Sequence, residues 1–194
     1  MHAAILTGSR RGNGGKKRSA SRGPQRQGRP LDSMILESAM SFQITGLPLS
    51  QFSPLFALSD EELARRGAIR VTADQSLGFP CRVSLQDAAV GERLILLNYE
   101  HLPVATPYRS RHAIYVRQSA TEAQLAIDEV PQLLRPRLLS VRAFDAQGMM
   151  KAADVAPGTA IENLIEQMFS HAAVAFLHVH NAKWGCYAAR VDRA

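Results

Sequence analysis

The residues with the most chemical potential lie near the C-terminus, where His178-Val179-His180-Asn181 is followed by Cys186. In a β-strand, side chains two apart share a face, so His178 and His180 are expected side by side. The connection Asn181-Ala182-Lys183-Trp184-Gly185 then sets Cys186 roughly across from His180. Two imidazoles and a thiolate are competent ligands for zinc or another borderline metal. They also suit nucleophilic chemistry, because a neighbouring imidazole activates a thiol. His178, His180 and Cys186 are therefore the candidate metal set. Zinc is admitted by these ligand types but is not favoured, and the cofactor stays undetermined. Val174 and Phe176 continue the histidine face, and Ala175, Leu177 and Val179 fill the other. A strand buried on both sides also uses histidines simply to hydrogen-bond across the sheet.

Two other segments carry candidate groups. In Pro80-Cys81-Arg82 the adjacent guanidinium is of a type that activates a thiol, although neighbours in a strand point to opposite faces. Tyr99-Glu100-His101 leads through Pro103 to Pro107-Tyr108-Arg109, a proline-stiffened stretch fit to contact an anion or ligand. Glu100 and His101 have the types of an acid/base pair, but adjacent residues rarely converge on one substrate atom. The candidate catalytic residues are thus Cys81, His101, His178, His180 and Cys186, and the candidate ligand contacts are Arg82, Tyr108, Arg109 and Asn181. A shared site requires segments about a hundred residues apart to meet.

The elements that must position these groups follow from local pattern. Phe42-Gln43-Ile44 alternates as a short strand. Ser59 with Glu62 forms a capping box for a helix that Gly67 ends, and Ala68–Ala73 reads as a strand. Arg93–Tyr99 is apolar enough for a central strand, and Ala113–Arg117 suits another. Residues 121–137 are expected to form short helical turns broken by Pro131 and Pro136. Leu139–Phe144 and Met149–Val155 read as a hairpin around Gly148. Thr159 with Glu162 reads as a second capping box, opening a long amphipathic helix over about 159–171 with Ile161, Leu164, Ile165, Met168 and Phe169 on one face. The expected fold is α+β: a mixed or mainly antiparallel sheet with that helix and short helices packed on it.

Composition divides the chain. Residues 1–30 hold Arg10, Arg11, Lys16, Lys17, Arg18, Arg22, Arg26 and Arg29 and no acid. From Met40 onward the 15 Lys and Arg equal the 15 Asp and Glu, so the net charge of +6 belongs to the tail. Residues 1–39 are expected to be a disordered basic tail, read first as an over-extended start and only then as a nucleic-acid arm or transit peptide. Residues 40–194 are expected to form one α+β domain. A neutral domain offers no footprint for phosphate backbones, so nucleic acid is an unlikely partner except through the tail. No apolar run approaches a membrane span, and two cysteines in a chain of 194 suit a cytoplasmic protein with reduced thiols. No phosphate loop, dinucleotide fingerprint, nucleophile elbow or zincin helix is present.

The stretch Pro80-Cys81-Arg82-Val83-Ser84-Leu85, then Asp87-Ala88, Gly91-Glu92, Tyr99–His101 and Pro107–Arg109, resembles the bacterial family known as domain of unknown function 1203. The ending His178-Val179-His180-Asn181-Ala182 with Gly185-Cys186 and Ala188-Ala189-Arg190-Val191 is similar to that family's C-terminal signature. One departure is Arg111-His112-Ala113, where the family pattern leads one to expect a glycine-proline turn. The resemblance implies a small bacterial cytosolic protein and brings no activity or cofactor. The functional expectation is a Cys/His site of enzymatic or metal-binding type, serving an undetermined small molecule or protein. The alternative is a non-catalytic binding module with structural histidines.

Overall fold

The computed structural model describes residues 40–194, and the basic segment 1–39 lies outside them. Alternating apolar residues make β1, Phe42–Thr45, whose Phe42 and Ile44 point into the core. Ser59 caps α1, Asp60–Arg65: its hydroxyl accepts from the Glu62 N–H, and the Glu62 carboxylate accepts from the Ser59 N–H. Gly67, at φ +67°, turns the chain into β2, Ala68–Thr72. A long loop, closed at its ends by Ala73–Glu92 and Gly91–Ala73 hydrogen bonds, leads to β3, Arg93–Leu102. β4, Ser110–Arg117, pairs back on β3, with a bulge between Glu100 and Leu102 that leaves His101 out of the ladder.

β5, Leu138–Phe144, and β6, Met150–Pro157, form the predicted hairpin. The Asp145 carboxylate accepts from the Gln147 and Met149 N–H groups, and Gly148 supplies φ +81°. α2, Ile161–Phe169, is followed by β7, Phe176–Asn181, and β8, Tyr187–Arg193. Every pairing of these strands is antiparallel, in two separate sheets: five strands ordered β1-β8-β7-β5-β6, and three ordered β2-β3-β4.

This corrects the expected fold class. There is no single sheet and no long helix over 159–171; α2 has nine residues. The Thr159 capping box does not form. Gly158–Ala160 is a 3₁₀ turn, and Ala160 precedes α2 without a side-chain cap. The five apolar residues read from the sequence are all buried, so the face was right and the length was not. Residues 121–137 contain short turns, with Leu134 N–H to Pro131 C=O, Arg135 N–H to Gln132 C=O and Arg137 N–H to Leu134 C=O.

One core packs α2 and Leu133 and Leu134 against Leu139, Val141, Leu177, Val179, Ala189 and Val191 of the larger sheet. The opposite face of that sheet meets the smaller sheet. There Leu102 packs with Phe144 and Phe176, and Tyr187 with Ile114 and Val116.

Gly158 sits where a side chain has no room: a Cβ there would overlap the backbone carbonyl of Leu134. A backbone obstacle cannot swing aside as a side-chain tip can. Gly158→Ala is expected to cost about 1–3 kcal/mol of unfolding free energy, measured by urea denaturation. An unchanged midpoint would show that the 134–137 segment yields freely.

Candidate functional site

The face between the sheets is where the histidines gather. His178 and His180 project from β7, His101 from the β3 bulge and His112 from β4. His101, His178 and His180 are buried, and His112 is only partly so, which makes it the side open to solvent. His101 lies at the centre. Its Nδ1 is 3.2 Å from His178 Nδ1, and its Nε2 is 2.8 Å from His112 Nδ1. Its ring stacks on Tyr187, with centroids 4.8 Å apart and planes at 11°.

His180 is held differently. Its Nδ1 lies 3.0 Å from the Gly185 carbonyl, which can only accept, so Nδ1 carries the proton. The Nε2 lone pair is then free, and this buried nitrogen has no hydrogen-bond partner. One nitrogen each from His101, His112 and His180 lies within 4.8 Å of the other two.

The surroundings keep these rings neutral. Burial, then charge on His112 and Arg142, lowers His101 to about 4. Burial lowers His180 to about 3, against the opposing Gly185 hydrogen bond and with help from Arg142. His178 is lowered furthest, by burial and then by His101 and His180. His112 is lowered by burial and Arg142. Arg142 stands opposite His178 in the β5–β7 register and forms no ion pair or hydrogen bond among the described residues. Tyr187 is raised above its ordinary value, chiefly by burial.

The other candidates separate into three places. Cys186 does not join the histidines. A bulge at His180 puts Tyr187 opposite it, and Cys186 pairs with Asn181 instead. Cys81 is fully buried in a hydrophobic cluster, its Sγ accepting from the Arg117 N–H. The Arg82 guanidinium turns away from Cys81 and donates to the Cys186 Sγ at 3.1 Å. Tyr108 and Arg109 lie at the surface, where Arg109 is bound to Glu100, so Glu100 and His101 point to different sides. A groove of about 860 Å³ lies elsewhere, between Leu85, Asp87, Glu122 and Gln132.

Residues 78–193 match the family model described as "Protein of unknown function (DUF1203)", which covers more than half of the chain. The chain belongs to the DUF1203 family. No curated protein and no solved structure matches it. The DUF1203 segment holds all four clustered histidines, Arg142, Arg82 and both cysteines, and leaves β1, α1 and β2 outside.

Sequence reasoning missed His112, Arg142 and Tyr187. The strand read from Ala113 began too late to include His112, since β4 opens at Ser110. An alternating His112-Ile114-Val116 pattern was the available signal.

Each clustered histidine is held below its ordinary value near 6.5, so its contribution to stability is full above that pH. It is lost as pH falls, because the unfolded chain takes up protons that the folded one refuses. In chelator, unfolding free energy is expected to fall by on the order of 3 kcal/mol between about pH 6.5 and pH 4. Glu92, lowered to about 2 by Ser119 and Arg117, acts in a more acidic window. Urea midpoints equal at about pH 7 and pH 4.5 would contradict the neutral-cluster description.

Proposed function

We propose that this protein binds a divalent first-row transition metal, zinc above all, through His101, His112 and His180. The supporting observation is the His180 ring. Its outer nitrogen is fixed as a donor to a backbone carbonyl, and its inner nitrogen is left as a buried, unpartnered lone pair facing two further imidazoles. That is the arrangement by which proteins orient a metal-ligating histidine. The His101–His178 contact does the same for a second ring, so His178 is a positioning residue in this reading.

Size and charge agree. An ion about 2.0–2.1 Å from each nitrogen needs nitrogens roughly 3.4 Å apart, between the 2.8 Å of the His101–His112 contact, which must widen slightly, and the 4.8 Å that bounds the set. The rings are already neutral, which is the ligand form. Three protein ligands leave a coordination position for water or an anion, as in catalytic rather than structural zinc sites. Arg142 beside the cluster suits an anionic group there. Free Cys81 and Cys186 support a reducing, cytoplasmic setting for such a site. Among the described residues no helix is long and apolar enough to cross a membrane.

Untagged protein titrated with zinc is expected to take up one ion per chain. At a free-metal concentration about 100 times Kd it should gain about 2.7 kcal/mol of stability. His180→Ala and His112→Ala are expected to weaken binding by roughly 100-fold or more, and Cys186→Ser to leave it unchanged. Failure of the wild-type protein to bind zinc, cobalt or nickel would overturn the metal reading and leave a hydrogen-bonded histidine cluster with His180 Nε2 unpaired.

A further inference from the structure

The second constellation is built around a buried cation. Arg82 is 1% exposed. Its Nε donates to the Tyr187 carbonyl at 2.7 Å, another N–H donates to the Pro80 carbonyl, and Nη2 donates to Cys186 Sγ at 3.1 Å. No carboxylate forms an ion pair with it among the described residues. A guanidinium does not shed its proton in a protein, and an uncompensated buried charge costs several kcal/mol. The guanidinium is therefore best served by a further electron-rich partner beside these two carbonyls.

The Cys186 sulfur fits that need. It receives a second donor, the Asn181 Nδ2, at 3.2 Å, so two N–H groups from different segments point at one sulfur. A neutral thiol is a weak acceptor, whereas a thiolate takes both. Asn181 is buried, and its Oδ1 has no partner. That leaves an unused acceptor beside the sulfur for the hydroxyl of an incoming molecule. Cys186 is also the more accessible cysteine, since Cys81 is fully enclosed.

We propose that Cys186 is an ionised, nucleophilic thiol, paired with Arg82, and the site at which hydroperoxides modify this protein. The sulfur lone pair attacks the distal peroxide oxygen. An S–O bond forms, the O–O bond breaks, and the departing alkoxide or hydroxide takes a proton from solvent. The sulfur is oxidised to the sulfenic acid and the peroxide is reduced to alcohol or water. Asn181 Oδ1 accepts from the peroxide hydroxyl, and Arg82 stabilises the anionic sulfur. The groups that set its charge are few: Arg82 and Asn181 touch it, while Cys81 and Arg137 act on Arg82. Burial draws the guanidinium's affinity for its proton down.

The test uses the full chain, with chelator and with zinc. Iodoacetamide is applied at about pH 8 and about pH 6, and the Cys186 and Cys81 peptides are quantified by mass spectrometry. An ordinary thiol of pKa about 8.5 slows roughly 80-fold between these conditions. Cys186 is expected to slow less than about threefold, and Asn181→Ala to restore part of the steep dependence. The far-ultraviolet thiolate absorption should be present at neutral pH and absent in Cys186→Ser. Hydrogen peroxide followed by a sulfenic-acid trap should label Cys186 and not Cys81. A Cys186 rate that falls by the full ordinary factor, or missing thiolate absorption in the wild-type protein, overturns the proposal.

Discussion

The structure turns on one strand. β7 is buried on both faces in the middle of the larger sheet. On one side Leu177 and Val179 pack under α2, and any well-filled apolar pair would serve there. On the other side His178 and His180 stand in a space closed by the smaller sheet, where an imidazole cannot hold a charge cheaply and cannot go unpaired without cost. The rest follows from that constraint. The Gly185 turn supplies His180 with an acceptor, the bulge in β3 drops His101 between β7 and β4, and Tyr187 closes the stack.

Two of the irregularities in the ladders assemble the site. Without the bulge near Glu100, His101 would pair in the β3–β4 ladder, and the His101 ring would have no reason to lie between His112 and His178. Without the bulge at His180, Ala188 rather than Tyr187 would stand opposite that ring. Cys186 lies beyond the bulge, against Asn181 and Arg82, so one turn carries two chemistries. The neutral, donor-rich imidazoles occupy one neighbourhood and the sulfur with its guanidinium another, joined by the short run from His180 to Tyr187.

Much of the fold was legible wherever a local rule sufficed. The Ser59 box, the Gly148 hairpin, the apolar face of α2 and the His178–His180 strand were all readable, because each depends on residues within a few positions. What was not legible depends on distant partners. Nothing near Arg82 announces that it will reach Cys186 rather than Cys81. The division into two sheets rests on which strands pair, and a strand's own sequence says little about that. Thr159 illustrates the converse. Its spacing to Glu162 is right, but Gly158 is pressed against the Leu134 carbonyl, and the chain enters α2 through a 3₁₀ turn that leaves the cap unused.

The pairing of β1 with β8 bears on where the folded unit begins. The family match opens at residue 78, yet Phe42–Thr45 covers the outer edge of the last strand and buries Phe42 and Ile44 in the main core. A chain cut to the matched segment would keep every histidine and both thiols but bare a row of unpaired peptide groups along β8. Such an edge is a template for a neighbouring molecule's strand. The recognisable signature and the unit whose β8 edge is covered are therefore different lengths of chain, and β1 supplies the difference.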